Sequence, residues 1–195
     1  MAVDRTDGEK AYVAAIRDRM LRARVYLDRQ SVPDAGAGSS DWFTYLADLS
    51  AILGDSSNSI RFVATLMAKA YLTARLPLCD SFDVAKKAMG ASGLGIDEQT
   101  RSGERVIGEL KTAVPFGKND LGAAQKKAFA ADFTKLVREA AEHKCFFVTD
   151  SRTCALLKRK YARRIPGVRV VLLGSDQEYV FVARENGDVD ITSPA

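Results

Sequence analysis

Two short runs, GID at Gly95–Asp97 and VIGELKT at Val106–Thr112, predict the centre of the fold. The polar break RSGE at Arg101–Glu104 lies between them and contains a glycine. Two β-rich runs on either side of such a break are typical of a β-hairpin. We therefore expect antiparallel strands over about 94–101 and 104–113.

The length of the hairpin loop decides which side chains share a face of the sheet. A three-residue loop over 101–103 pairs position 97 with position 107, whereas a two-residue loop pairs 97 with 108. Three-residue loops favour positive φ at their last position, and Gly103 stands there. The first register places Asp97, Glu109 and Lys111 on one face, because alternate strand residues point the same way.

Two carboxylates and an ammonium group on one face suit a hard cation. Mg²⁺ prefers oxygen ligands, often one or two carboxylates with several waters. A neighbouring lysine can orient a water or offset charge that grows on a phosphate. The alternative is a surface salt bridge between exposed strand residues. The apolar frame of Ile96, Val106, Ile107 and Leu110 favours a site.

The 195-residue chain is long enough for one domain, with room for a subdomain. It contains no apolar run of about 18 residues, and its first ten residues do not resemble a signal peptide. The three cysteines, Cys79, Cys145 and Cys154, have no C-x-x-C spacing. We expect free thiols and a cytoplasmic location.

The single histidine, His143, disfavours histidine-based metal clusters and a Ser-His-Asp triad. Neither a phosphate-binding P-loop nor a dinucleotide-binding glycine pattern is present.

Positive charge is concentrated downstream of the predicted hairpin. Residues 111–169 contain 14 basic and 5 acidic residues, whereas residues 170–195 contain 1 and 5. This segregation suits a polyanion bound beside the hairpin, and a solvated basic surface is the alternative.

The remaining elements follow from hydrophobic spacing and caps. We expect helices over 9–29, 41–53, 60–75, 120–142 and 152–163, with Asp41 and Asp120 as N-caps. Buried strands are predicted at 145–149 and 168–173, a weaker one at Phe82–Lys86, and an exposed hairpin at 179–184 and 189–192.

The predicted elements follow one another in the order helix, weak strand, strand with Asp97, strand with Glu109-Leu110-Lys111, helix and apolar strand. This order resembles the core of the PD-(D/E)xK nuclease superfamily. The resemblance covers about residues 57–173 and implies an α/β fold, a restriction-endonuclease-like αβββαβ core with a central mixed sheet flanked by helices. Residues 1–56 would then be an N-terminal helical extension with possible dimer contacts, and 174–195 a C-terminal β-hairpin.

The resemblance also implies roles for particular residues. Asp97 and Glu109 would hold Mg²⁺ together with the Leu110 carbonyl, and Lys111 would position or activate the attacking water. Gln125, four residues before Phe129, resembles an accessory Q-x-x-x-Y element, and an exposed helix residue is the alternative. Candidate DNA contacts are Lys118, Lys126, Lys127, Arg152, Lys158, Arg159 and Arg163.

The sequence departs from the family pattern at two places. No proline precedes Asp97, which the variable motif tolerates, and no glutamate lies between Glu9 and Asp97 on the helix before the sheet. Asp55 could substitute, or the site could have fewer ligands.

The resulting expectation is a Mg²⁺-dependent endonuclease that hydrolyses double-stranded DNA, most like a homodimeric type II restriction endonuclease with a cognate methyltransferase. The alternatives are a structure-specific or repair nuclease with the same chemistry, and a non-catalytic DNA-binding protein on the nuclease scaffold.

Overall fold

The computed structural model describes residues 4–78, 82–86, 93–116, 120–175, 177–183 and 189–192. Its α-helices are α1 (Asp7–Arg29), α2 (Ser39–Leu53), α3 (Ser56–Arg75), α4 (Ala123–Arg138) and α5 (Ser151–Leu156). A π-helix (Leu157–Tyr161) and a 3₁₀ helix (Ala162–Arg164) follow α5. Its strands are β1 (Ile96–Gln99), β2 (Arg105–Lys111), β3 (His143–Val148), β4 (Arg169–Leu172), β5 (Glu178–Ala183) and β6 (Val189–Thr192). No helix in the described part of the chain is long and apolar enough to cross a membrane.

The six strands form one mixed sheet in the order β1-β2-β3-β4-β5-β6. β1 and β2 are antiparallel, β2–β3 and β3–β4 are parallel, and β4–β5 and β5–β6 are antiparallel. The parallel β2–β3 connection runs through α4, as parallel neighbours require a crossover. The expected α/β class with a mixed central sheet is therefore confirmed.

The core lies between this sheet and α4. Phe129 and Phe133 of α4 pack on Phe146 of β3, with ring centroids 5.6 and 5.2 Å apart. All three side chains are at most 2% exposed. Their contact places α4 over the sheet face that carries the odd-numbered residues of β2.

The described residues form two compact units. One lies within Asp4–Val63 and Asp83–Met89, and the other within Ala64–Phe82 and Gly90–Ala195. The boundary falls inside α3, and the sheet belongs wholly to the second unit.

The predicted strand at Phe82–Lys86 is wrong, because local and tertiary contacts take up its backbone donors. Val84 N donates to the buried carboxylate of Glu9 at 2.9 Å, and Ala85 N donates to the Asp83 side chain. Leu78, which lies before that segment, forms one antiparallel bridge with Thr100.

The predicted C-terminal hairpin pairs as expected, but it continues the sheet. Val170 pairs with Tyr179, and the side chain of Phe181 is fully buried in the same core as Phe146. Backbone pairing with β4 makes β5 part of the central sheet, and the burial of Phe181 makes it part of the core.

Two of the predicted caps are also corrected. α2 begins after Gly38 rather than Asp41, and α4 begins after Gly122 rather than Asp120. The Asp120 carboxylate instead accepts hydrogen bonds from Leu121 N and the Tyr161 hydroxyl. α4 also ends at Arg138, well before the predicted end at 142.

Candidate functional site

The hairpin has the register that the glycine position predicts. Asp97 pairs with Ile107, and Gly103 has a φ of +90°. The residues at 97, 105, 107, 109 and 111 therefore share the face that α4 covers. The described pairing of β1 with β2 begins at Ile96 and Gly108, so β2 continues beyond it through Glu109 to Lys111.

Glu109 is the most buried charged group on this face. Its side chain is 4% exposed, and Oε1 lies 3.4 Å from Nζ of Lys135 on α4. Burial, followed by the nearby charge of Asp132, raises the pKa of Glu109. A Cβ at Gly95 would stand only 3.3 Å from Glu109 Oε2, so glycine leaves the carboxylate its space.

Lys111 points to the same helix and forms an ion pair with Asp132. Its Nζ lies 2.5 Å from Oδ2 of Asp132, a side chain that is 9% exposed. The other carboxylate oxygen, Oδ1, lies 3.6 Å from Lys135 Nζ. Glu109, Lys135, Asp132 and Lys111 thus form an alternating cluster, which we call the β2–α4 charge cluster.

Asp97 is held apart from this cluster by Arg105. Both carboxylate oxygens accept hydrogen bonds from the guanidinium, at 2.9 and 2.8 Å. Arg105 Nη1 also donates to Glu139 and to the carbonyl of Ala140, both just after α4. The register brings Asp97 to the correct face, while the described contacts hold it at the end of α4.

Arg105 also accounts for the early end of α4. Its contacts to Glu139 and Ala140, together with the bond from its backbone N to Glu142 at 2.7 Å, tie residues 139–142 to the start of β2. These residues therefore leave the helical path.

Gln125 serves the loop that precedes α4. Its Oε1 accepts hydrogen bonds from Phe116 N and Gly122 N, and its Nε2 donates to the Val114 carbonyl at 2.7 Å. The side chain therefore orders the chain between β2 and α4. Its accessory catalytic role stays a prediction, as does the metal-binding role of the Leu110 carbonyl.

The candidate DNA contacts that the structure describes are all exposed; they are Lys126, Lys127, Arg152, Lys158, Arg159 and Arg163. Lys118 lies outside the described residues. Lys126 of α4 and Lys160, after α5, both form ion pairs with Asp120, at 3.0 and 3.4 Å. Asp120 therefore joins two basic segments, and Lys160 adds to the predicted set.

The opposite face of the sheet carries a separate polar cavity of about 490 Å³. Arg75 and Arg169 both lie beside Glu178, at 3.7 and 3.6 Å, and the Tyr71 hydroxyl donates to the same carboxylate. Burial and this hydrogen bond raise the pKa of Tyr71 to about 12.

Sequence patterns missed Asp132 and Lys135. A weak signal was present, because both lie near the buried Phe129 and Phe133 in the amphipathic pattern of α4. Charged residues at the edge of an apolar helix face are candidates for contacts with the adjoining strand.

Whether a metal ion fits the β2–α4 charge cluster depends on the chemistry of its carboxylates. Across the described residues, no group of three or more His, Cys, Asp or Glu side chains could hold a metal ion. Glu109 and Asp132 nevertheless offer carboxylate oxygens, which Mg²⁺ and Ca²⁺ prefer. Both contact the same ammonium, so a single cation can reach them together.

Comparisons with known proteins found no family model, no curated protein and no solved structure that matches the chain.

Proposed function

We propose that this chain is a Mg²⁺-dependent endodeoxyribonuclease with a restriction-endonuclease-like core. The order of an antiparallel hairpin, a crossover helix and a parallel strand supports this proposal. So does the position of Glu109 and Lys111 on the second strand of that hairpin.

The observation that carries the proposal is the burial of Glu109 beside Lys111 in a cluster of four charged groups. Moving charges out of water costs several kcal/mol per ion, so such clusters are weak sources of stability. A carboxyl group whose pKa is raised by burial and a charged neighbour is instead characteristic of functional sites. The cluster therefore favours chemistry over a purely structural role.

Each residue has a definite task in the proposed reaction. Glu109 would hold Mg²⁺, which would supply positive charge to the non-bridging oxygens of the scissile phosphate. Lys111 would orient the attacking water and offset the charge that grows on the phosphate. Asp132 keeps the Lys111 ammonium in a fixed position through its 2.5 Å ion pair.

Double-stranded DNA is the proposed substrate because exposed basic residues are concentrated after β2. Contacts between such residues and phosphates position the duplex without reading bases. The Asp120 ion pairs bring Lys126 and Lys160 to one carboxylate, which links both basic segments into one surface.

A type II restriction endonuclease is the class that we favour, with a cognate methyltransferase as its partner. Such an enzyme would act as a homodimer, and the N-terminal helices expose large apolar side chains that could form the contact. They are Met20, Leu21, Val25, Leu27, Phe43 and Leu46. The free thiols of Cys145 and Cys154 suit the proposed cytoplasmic location.

A second candidate is a non-catalytic DNA-binding protein. It is favoured by the neutral balance of the β2–α4 charge cluster, in which each carboxylate already contacts a lysine. Binding of duplex DNA without cleavage in Mg²⁺ would support it. A structure-specific nuclease would cut branched DNA but leave plain duplex intact.

The proposed role of Lys111 is tested by Lys111→Met, with Lys86→Met as the control, because Lys86 is exposed and is not a candidate DNA contact. Lys111→Met should reduce the cleavage rate in Mg²⁺ by about 10²–10³-fold, because one stabilising donor is lost. Duplex affinity, measured by gel shift in Ca²⁺, should change by no more than about twofold, because many basic groups share phosphate binding. The control should cleave normally, and cleavage by Lys111→Met at the wild-type rate would refute the assignment.

A further inference from the structure

The ammonium of Lys135 occupies a position that is surrounded by oxygen atoms from three segments. Its Nζ lies 3.4 Å from Glu109 Oε1 on β2, 3.6 Å from Asp132 Oδ1 on α4, and 3.2 Å from the carbonyl oxygen of Gly93 before β1. Two carboxylates and one backbone carbonyl are the ligand types that bind hard divalent cations. This geometry is that of a cation site filled by a side chain.

We infer that Glu109, Asp132 and the Gly93 carbonyl form the divalent-cation site, and that the Lys135 ammonium occupies it until the ion binds. The inference rests on the proposed function for its choice of a divalent ion. It assigns Asp132, rather than Asp97, as the second carboxylate ligand.

Charge supports an exchange of the ammonium for the ion. Glu109 and Asp132 carry two negative charges, and Lys111 and Lys135 balance them, so the cluster is neutral with Lys135 in place. Withdrawal of Lys135 leaves a net charge of −1 among side chains that are 4%, 9% and 21% exposed. A buried excess of negative charge is costly and attracts a cation.

Lys135 is able to leave because it reaches the site from the rim. Its side chain is 43% exposed, whereas the two carboxylates that it contacts are nearly inaccessible. A lysine ammonium is strongly hydrated and sits on a flexible stem, so rotation into water is an accessible alternative. Lys111 remains on Asp132 Oδ2, which keeps Oδ1 directed towards the site.

Asp97 is excluded as a ligand because Arg105 engages both of its oxygens. The two hydrogen bonds of 2.9 and 2.8 Å form a bidentate pair, which is among the stronger polar contacts in proteins. Asp97 therefore anchors Arg105, and Arg105 in turn holds the residues after α4.

The site is tested by calorimetric titration of the full chain with Ca²⁺, without nucleic acid. Asp132→Asn should weaken Ca²⁺ binding by about tenfold or more, whereas Asp97→Asn should change it by no more than about twofold. Lys135→Met should strengthen binding by about tenfold, because the competing ammonium is removed. Lys127→Met, an exposed lysine on the same helix, should bind Ca²⁺ as the wild type does.

Two results would overturn the inference. One is loss of Ca²⁺ binding in Asp97→Asn with normal binding in Asp132→Asn. The other is a Lys135→Met protein that melts cooperatively and binds Ca²⁺ no better than the wild type. Because Lys135→Met is read as a gain of binding, it stays informative even if Asp132→Asn does not fold.

The Ca²⁺ titration, read together with a DNA cleavage assay in Mg²⁺, separates this inference from the proposed nuclease activity. If the binding pattern holds but no DNA is cut in Mg²⁺, the cation site stands and the nuclease proposal fails. If DNA is cut but Asp132→Asn binds Ca²⁺ normally, the nuclease proposal stands and the site assignment fails.

Discussion

Glu109 is the residue at which burial, charge and proposed chemistry meet. Its carboxylate contacts Lys135, and Lys111 on the same strand contacts Asp132. Gly95 leaves room for the carboxylate of Glu109. Burial disfavours the ionised form, and the charge of Asp132 adds to that effect. The protonation of Glu109 is therefore coupled to the stability of the fold.

Glu109→Gln tests this coupling. Because the pKa of Glu109 is raised in the folded state, its contribution to stability is complete below the pKa of the unfolded chain and is lost as pH rises through the raised value. The unfolding free energy of the wild type minus that of Glu109→Gln should therefore decline as pH rises from about 4.3, the ordinary pKa of glutamate, through the raised pKa of the folded state. Urea denaturation in EDTA measures it, and a pH-independent difference would contradict the assigned shift.

At the scale of single residues, the sequence predicts some members of the site and misses others. Strand parity and the glycine at 103 place Asp97, Glu109 and Lys111 on one face, and the register confirms it. Asp132 and Lys135 could not be predicted as partners, because the rotation of α4 over the sheet depends on tertiary packing of Phe129 and Phe133.

At the scale of elements, the β1–β2 hairpin sets the geometry of the site. Its loop ends at Gly103, which has a φ of +90° and no heavy atom within 4 Å of an added Cβ. The backbone conformation is therefore what requires glycine.

The predicted strand at Phe82–Lys86 could not be judged from local sequence in the same way. The bond between Val84 N and Glu9 joins residues that lie 75 positions apart. No local pattern reports such a contact.

Gly103→Ala tests how strongly the hairpin depends on its loop. A side chain at positive φ costs about 1–2 kcal/mol, so the unfolding free energy should fall by that amount. Gly36→Ala is the matched control, because the space around Gly36 is also open and its φ is not positive. The control should change stability by no more than about 0.5 kcal/mol in urea denaturation. Equal effects of the two substitutions would contradict the account of the loop.

At the scale of the whole molecule, the N-terminal helices and the sheet differ in what they expose. Phe43 of α2 is 73% exposed and Leu27 of α1 is 50% exposed, whereas the sheet buries Phe146 and Phe181 completely. Exposed large apolar side chains are candidates for an interaction surface. The helices, rather than the sheet, are therefore the proposed region of dimer contact.

The dimer is tested by sedimentation velocity of the wild type and Phe43→Glu. The wild type should sediment as a dimer, and the variant as a monomer, because a charge is placed on the apolar contact. Thr44→Glu adds the same charge at an exposed neighbouring position of the same helix and should remain dimeric. A dimer that persists in Phe43→Glu would show that Phe43 is not part of the dimer contact.

The sequence predicts the large-scale order of elements well where hydrophobic runs are long. Examples are the buried strand predicted at 145–149, which is β3 (His143–Val148), and the helices of the N-terminal region. The pairing of β4 with β5 could not be predicted in this way, because it depends on strand register and not on local composition.

The most direct test of the proposed function is the fragment pattern of a long linear duplex incubated with the wild-type protein. We expect discrete fragments in Mg²⁺ and intact DNA in EDTA, because a restriction endonuclease cuts at defined positions and requires its ion. Intact DNA in Mg²⁺, for both this duplex and a branched substrate, would contradict the assignment of this chain as a metal-dependent nuclease.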